Sequence, residues 1–150
     1  MTIQVEVENV SGCVQGVPEA RLFTEWVALA LEGRRTSAEL CVRLVDEAES
    51  ASLNWHYRQK DKATNVLSFP SGLPEDFDPP ILGDLAICAQ VVAREAVEQG
   101  KTEQAHWAHL VIHGTLHLLG FDHVDDSEAD VMEAQEIALL SRLGYANPYA

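Results

Sequence analysis

Cysteine, basic residues and long apolar runs are all scarce in this chain of 150 residues. Its three cysteines lie far apart and form no C-x-x-C pair, so we interpret them as reduced, mostly structural thiols. Charged residues interrupt every apolar stretch before about 18 residues, which excludes a membrane-spanning helix. The first residues lack the basic start and apolar run of a secretory signal, and we expect a cytoplasmic protein without membrane partners.

Acidic residues outnumber basic ones, 24 against 10, which gives a formal net charge of −14. A chain this acidic is not expected to coat nucleic acid non-specifically, because its overall field repels phosphates. A local nucleic-acid site remains compatible with that charge. Arg58, Lys60 and Lys62 fall within five positions and form the one basic cluster in the sequence. Taken alone, such a run is typical of a solvated surface loop.

Hydrophobic periodicity predicts an α+β fold. Alternating apolar residues predict strands at 3–7 and 40–44, and β-rich segments predict two more at 64–69 and 81–87. Apolar residues at helical spacing and helix-start signals predict helices over 18–33, 46–57, 89–99, 102–119 and 127–144. Asp46 with Glu49 is the predicted start of the second helix, and Ser127 with Asp130 that of the last. We therefore expect a single domain over residues 1–150, with a small mixed four-stranded sheet packed with about five helices.

The segment HGTLHLLGFDH, residues 113–123, holds the most informative group of side chains. His113 and His117 are four apart, so a helix presents both imidazoles on one face. Gly120 permits a left-handed turn after the helix, and that turn can bring His123 to the same ion. Three nitrogen ligands leave the fourth position of a tetrahedral zinc ion to water, as in catalytic sites. We predict one zinc ion bound by these histidines on a central buried helix.

Two alternatives to a catalytic zinc site of this kind share parts of the histidine pattern. The spacing H-x-x-x-H-x-x-G-x-x-H also occurs in metzincin peptidases, but those enzymes need a glutamate directly after the first histidine, and Gly114 stands there. A second alternative is a non-catalytic ribosome-binding factor with a structural zinc ion. Such a site normally has four protein ligands, often cysteines, and no cysteine lies near the histidines in the sequence. Both alternatives are disfavoured, and both stay open on the sequence alone.

Several segments together resemble the YbeY endoribonucleases, also called ribosomal RNA maturation factors. The similarity covers LNWHYRQKDKATNVLSFP (53–70), GDLAIC (83–88) and HLVIHGTLHLLGFDH (109–123). The C-terminal pattern also fits, namely Met132, Glu133, Glu136, Ile137, Leu143 and Gly144. Two positions depart from the residues usual in that family: Asn65 stands in place of Asp, and Phe121 in place of Tyr. Neither is an expected metal ligand, but Asn65 makes an acid–base role at that position doubtful.

The resemblance implies a zinc-dependent enzyme that cuts single-stranded RNA. It further implies maturation of the 3′ end of the small-subunit ribosomal RNA and ribosome quality control, with the small ribosomal subunit and its assembly factors as partners and no DNA substrate. In that family the three histidines of the motif bind zinc, and the arginine that matches Arg58 acts in the cleft. We accordingly expect Arg58 to hold a phosphate, and Lys60 and Lys62 to flank the RNA backbone.

Overall fold

The structure, a computed structural model, describes residues 2–122 and 124–150. Its strands are β1 (Thr2–Asn9), β2 (Ser37–Val45), β3 (Val66–Pro70) and β4 (Ile81–Cys88). Its helices are α1 (Ala20–Leu31), α2 (Glu47–Arg58), α3 (Ala89–Glu98), α4 (Glu103–Leu118) and α5 (Asp126–Arg142). The predicted α+β class is thus confirmed, with four strands and five helices in the described part of the chain.

The strands form one mixed sheet in the order β1-β2-β4-β3. β1, β2 and β4 run parallel, and β3 pairs with β4 in the antiparallel direction. Parallel neighbours need crossover connections, and α1 supplies the one between β1 and β2. This arrangement leaves β3 at an edge of the sheet, directly after the segment that follows α2.

Helix α4 runs through the hydrophobic core, as its nearly continuous apolar surface predicts. Trp107 packs edge-to-face on Phe23 of α1, with ring centroids 5.7 Å apart. Val111 and Leu116 of the same helix are fully buried in the core, and each such burial contributes about 1.5–3 kcal/mol. Among the described helices, none combines the length and apolarity needed to cross a bilayer.

Gly114 allows α4 to approach the sheet closely. A Cβ atom at this position would lie 2.8 Å from Leu85 Cδ2 on β4 and 3.3 Å from Ser68 Oγ on β3. The Ser68 hydroxyl donates a hydrogen bond of 3.2 Å to the Gly114 carbonyl, which holds the edge strand against the helix. The glycine that stands at the position of the metzincin glutamate is therefore also the residue that this packing requires.

The turn that follows α4 has the left-handed conformation predicted at Gly120. Its φ is 104°, its N–H donates to the His117 carbonyl at 3.0 Å, and the Phe121 N–H donates to the Leu116 carbonyl at 3.1 Å. This pair of bonds is a Schellman motif, which satisfies carbonyls left unpaired at a helix end. The guanidinium of Arg34 lies 5.3 Å from the Phe121 ring centroid and holds the turn against the end of α1.

The start of α5 differs from the sequence prediction, which placed it at Ser127 with Asp130. The helix begins at Asp126, and the Asp125 side chain caps it by accepting a 2.8 Å hydrogen bond from the Glu128 N–H. Three consecutive residues of Asp or Ser offer similar caps, so composition did not distinguish them. By contrast, the predicted cap of α2 is confirmed, since Asp46 accepts a 2.8 Å bond from the Glu49 N–H.

Candidate active site

A cleft of about 580 Å³ lies between the end of α2, the edge strand β3 and the C-terminal half of α4. Its lining includes Arg58, Asn65, His113, His117 and Asp122. The fold therefore brings Arg58 to the same cavity as two histidines of the motif, although the two segments are far apart in sequence. Arg58 is exposed and is the last residue of α2.

The two histidines of α4 that line the cleft, His113 and His117, are neighbours on its wall. The ring centroids of His113 and His117 are 4.8 Å apart, and the rings are nearly perpendicular at 79°. As the spacing of four residues predicts, both lie on one face of the helix, where they are partly exposed. His123, the third predicted ligand, lies outside the described residues.

A fully buried carboxylate, Glu136 on α5, lies behind His113. Its Oε1 is 3.0 Å from His113 Nδ1 and 2.8 Å from His109 Nε2. The Tyr149 hydroxyl donates to both carboxylate oxygens, at 3.1 and 3.0 Å. An ionised carboxylate only accepts hydrogen bonds, so Nδ1 of His113 carries a proton, and Nε2, on the other edge of the ring, is the nitrogen suited to a metal.

The charge state of this group follows from its surroundings. Burial by itself would raise the pKa of Glu136, but the hydrogen bonds from His109 and His113 outweigh burial and hold the pKa at about 2. Burial lowers the pKa of His109, against the effect of Glu136, so His109 is neutral at pH 7. Burial, together with the charge of Glu136, raises the pKa of Tyr149, which keeps its hydroxyl as a donor.

Within the described residues, the ligand atoms of His109, His113 and Glu136 lie within 4.8 Å of one another and could hold a metal ion. Their separations of 2.8 and 3.0 Å are hydrogen-bond distances. A tetrahedral zinc ion would spread two such ligands to about 3.4 Å. A metal on the cleft side of His113 would instead keep the bond from Nδ1 to Glu136, the usual support of a metal-bound histidine. The donor set therefore favours the cleft side.

A second carboxylate–histidine pair lies nearer the start of α4. His106 Nε2 is 2.7 Å from Glu95 Oε1 of α3, and Asn65 Nδ2 donates to the same oxygen at 3.1 Å. The hydrogen bond from His106 lowers the pKa of Glu95, with burial opposing it. Asn65 therefore acts as a neutral donor that connects this partly buried pair to the cleft wall, in agreement with the doubt about an acid–base role there.

The other two predicted RNA-binding residues lie beside the cleft. Lys60 and Lys62 are exposed in the segment after α2 and are not part of the described cleft lining. Gln59, with a left-handed φ of 55°, ends the helix, and Asn54 Nδ2 donates 2.9 Å to the Lys62 carbonyl. The backbone of the segment is thus held in place, and the flanking role of the two lysines stays a prediction.

Sequence reasoning gave no role to Glu136 or Tyr149. A signal for Glu136 did exist, because it occupies the same face of α5 as the buried residues Met132 and Leu140, at spacings of four. A charged residue on an apolar stripe is rarely buried without a partner. Tyr149 gave no such signal, since it lies beyond the last helix.

Comparison with known proteins identifies the family. A sequence profile described as Endoribonuclease YbeY matches residues 7–144. A protein named Endoribonuclease YbeY from Xanthomonas oryzae pv. oryzae is 62% identical over 139 residues, which cover 90% of this chain and 86% of that protein. A protein of the same name from Pseudomonas fluorescens is 59% identical over 137 residues, 91% of this chain and 90% of its own.

The solution structure of TM1509 from Thermotoga maritima has the same fold, with a TM-score of 0.65 and 25% identity, over 93% of this chain and 89% of that one. The relatives share one enzyme name, so the predicted class, a nuclease among the hydrolases, is confirmed. The chain belongs to the YbeY family of endoribonucleases.

Proposed function

We propose that this chain, as one hydrolase domain over residues 1–150, is a zinc-dependent endoribonuclease specific for single-stranded RNA. The observation that carries the proposal is the pair His113 and His117 in a cleft that also contains Arg58. These histidines, with His123 as the third ligand, would hold one zinc ion. When bound, that ion supplies Lewis acidity toward a phosphoryl oxygen, or a hydroxide at neutral pH.

The side chains of the cleft divide the remaining work. Arg58 holds the phosphate through its planar guanidinium and stabilises the charge that develops on it. Glu136 fixes the tautomer and orientation of His113 through Nδ1, so that Nε2 is the nitrogen that would hold the metal. The attacking group is either water or the 2′-hydroxyl of the RNA. A 2′,3′-cyclic phosphate at the cleaved end would identify the 2′-hydroxyl, and a 3′-hydroxyl would identify water.

A peptidase mechanism does not suit this site. The metzincin general base would stand at Gly114, but even a Cβ atom there would lie 2.8 Å from Leu85 Cδ2. Position 114 thus faces the sheet and not the cleft. The packing of α4 supports the ribonuclease proposal over this alternative.

In the cell, we place the enzyme in the cytoplasm, in maturation of the small-subunit ribosomal RNA 3′ end and in ribosome quality control. The charge supports a need for partners, because a net charge of −14 weakens binding to RNA in bulk. The small ribosomal subunit and its assembly factors would then present the strand to the cleft. Tight, salt-insensitive binding to random single strands would contradict this part of the proposal.

The first test is cleavage of a labelled single-stranded RNA by zinc-loaded protein, beside identically purified His117→Ala and His56→Ala. His56 is exposed on α2 and is not part of the described cleft lining, so its replacement controls for the loss of a histidine. We expect cleavage by the wild type and by His56→Ala, stopped by a chelator, and none by His117→Ala. Equal activity in all three would indicate a contaminating nuclease and would defeat the proposal.

Arg58 has its own test. Arg58→Ala should keep zinc and thermal stability but reduce cleavage by about 100-fold, as expected when a donor to transition-state charge is removed. Arg21→Ala is the matched control, since this exposed arginine on α1 is not part of the described cleft lining. Unchanged cleavage by Arg58→Ala would remove the guanidinium from the mechanism.

A further inference from the structure

Two aromatic rings form one rim of the cleft. Tyr57 of α2 and Phe69 of β3 have ring centroids 4.5 Å apart and both line the cavity that contains His113 and His117. Tyr57 is 64% exposed, whereas Phe69 is partly buried. The pair therefore presents aromatic surface to solvent within the cavity assigned to the substrate.

The exposed ring of Tyr57 lies next to a cation. Tyr57 is adjacent in sequence to Arg58, and both side chains line the same cavity. The ring that packs on Phe69 thus lies beside the cation expected to hold a phosphate. A nucleotide carries a flat base and a phosphate close together, and aromatic rings next to a cation are the usual platform for single-stranded nucleic acid.

A second hollow is lined by the same two rings, but the cation in it is already engaged by carboxylates. It is lined by Arg43, among others, but the Arg43 guanidinium is engaged by two carboxylates, at 2.8 Å from Glu8 and 2.6 Å from Glu49. A phosphate there would meet acidic side chains. The charges thus direct the strand to the side of the rings that faces the histidines.

The overall charge makes stacking the more important source of affinity. Proteins that bind RNA through many phosphate contacts rely on clustered cations, and this chain has a net charge of −14. Base stacking does not require clustered cations, and it accepts every base because each has a π face.

We propose that Tyr57 and Phe69 form a stacking site for one nucleobase of the single-stranded RNA, beside the metal-binding histidines. This inference rests on the proposed ribonuclease function. It gives the enzyme a contact that distinguishes an unpaired base from a paired one, because a base in a duplex cannot present its face to the rings.

The experiment measures both KM for cleavage and Kd for binding of one labelled single-stranded RNA by zinc-loaded protein. Tyr57→Leu removes the ring but keeps an apolar side chain against Phe69, and we expect it to raise KM and Kd roughly tenfold or more. Its kcat and zinc content should stay near those of the wild type. Tyr57→Phe, which keeps the ring, should restore binding.

Trp55→Leu is the matched control, because Trp55 is a 53% exposed aromatic on the same helix that is not part of the described cleft lining. It should behave as the wild type. A strand of the same length whose residues lack bases supplies the second control. Wild type and Tyr57→Leu should bind this strand equally, since it offers no base that could stack on the Tyr57 ring.

The outcomes separate the two proposals. KM and Kd of Tyr57→Leu within about twofold of the wild type, with cleavage still abolished in His117→Ala, would overturn the stacking site and leave the ribonuclease function in place. An equal loss of binding to the base-free strand would also overturn it. Tyr57-dependent binding of RNA without cleavage by the wild type would support the stacking site and overturn the ribonuclease proposal.

Discussion

Three histidines of helix α4 bond a carboxylate, and two of these pairs, His106 with Glu95 and His113 with Glu136, use opposite edges of the imidazole ring. Near the start of the helix, Glu95 is bonded to Nε2 of His106, whose side chain is only 3% exposed. Two turns later, Glu136 is bonded to Nδ1 of His113, whose side chain is 22% exposed and lines the cleft. The sequence places both histidines on the same helix, and the partner carboxylate decides which ring nitrogen remains for other chemistry.

In the proposed function, this difference would separate a structural pair from a metal-binding one. In the first pair the carboxylate takes Nε2 of His106, and the remaining ring nitrogen, Nδ1, is buried away from solvent. In the second pair the carboxylate lies behind the ring and keeps a proton on Nδ1, which leaves Nε2 to point at the cleft. Metal binding should therefore depend on the second pair and folding on both.

The largest expected effect is a difference in zinc affinity between variants of His113 and His106. His113→Ala should lower zinc affinity by more than ~100-fold, because the proposed site would lose one of its three protein ligands; structural zinc sites bind their ion by roughly 10–16 kcal/mol in all. His106→Ala should leave zinc affinity unchanged and lower only the free energy of unfolding. Competition with a chromogenic chelator measures the affinity of both variants, and denaturant unfolding of the metal-free proteins measures their stability.

Equal zinc affinity in wild type and His113→Ala would show that the metal does not bind on the cleft side of this ring. A large loss of zinc in His106→Ala, with the fold intact by circular dichroism, would show that the first pair also serves the metal. Either result would remove the distinction between the pairs.

The next effect is a difference in zinc affinity between variants of the two carboxylates, Glu136 and Glu95. Glu136→Gln keeps the shape of the side chain but weakens its bonds to His113 and His109, and zinc affinity should fall about 10- to 100-fold, as is typical for partners of metal-bound histidines. Glu95→Gln is the matched change in the first pair and should leave zinc affinity as it is. Calorimetric titration of the metal-free proteins with zinc compares the two; an equal fall in both would contradict the assignment.

These comparisons also show how far the sequence could predict the site. The i, i+4 spacing of His113 and His117 was sufficient to place both rings on one face, because helix geometry alone determines that relation. The entry of Arg58 into the same cleft came from family resemblance and not from periodicity. No local pattern relates α2 to α4, whose positions depend on how both pack against the sheet.

The partners of the histidines were beyond local prediction for the same reason. Glu136 reaches His113 across 23 positions and Tyr149 reaches Glu136 from beyond the last helix. Such contacts are set by the packing of α5 against α4. The elements themselves, by contrast, followed from apolar periods, β-rich segments and helix-start signals. Their errors lay at the ends, such as the start of β3 at Val66 and not at residue 64, and the cap of α5 at Asp125.

A smaller effect concerns the acid stability of the first pair. The pKa of Glu95 is lowered in the folded state by the bond from His106. A carboxylate with a lowered folded pKa stabilises the protein above its unfolded pKa, and this contribution is lost as the pH falls through the folded value. Glu95→Gln should cost about 1.5 kcal/mol at pH 7, and the difference from wild type should shrink as the pH falls below 4.5.

Denaturant unfolding of the metal-free wild type and Glu95→Gln at several pH values checks this expectation. Glu98→Gln is the matched control, because it makes the same change at an exposed position of the same helix. It should leave stability within about 0.5 kcal/mol of the wild type. A gap between wild type and Glu95→Gln that widens in acid would show that the bond to His106 does not stabilise the charged carboxylate.

The smallest effect concerns Asn65, which completes the first pair by donating 3.1 Å to Glu95 Oε1. Asn65→Asp replaces that donor with a second carboxylate beside Glu95, and we expect a loss of about 1 kcal/mol at pH 7, limited because the new group is partly exposed and can turn to solvent. Repulsion raises the pKa of the introduced carboxylate in the folded state, so the loss should disappear as the pH falls and one of the two groups takes up a proton.

Unfolding of the metal-free proteins at pH 7 and at lower pH measures this loss of stability. If Asn65→Asp is as stable as the wild type at pH 7, Glu95 does not depend on a neutral donor from the cleft wall, and the first pair is held by His106 alone.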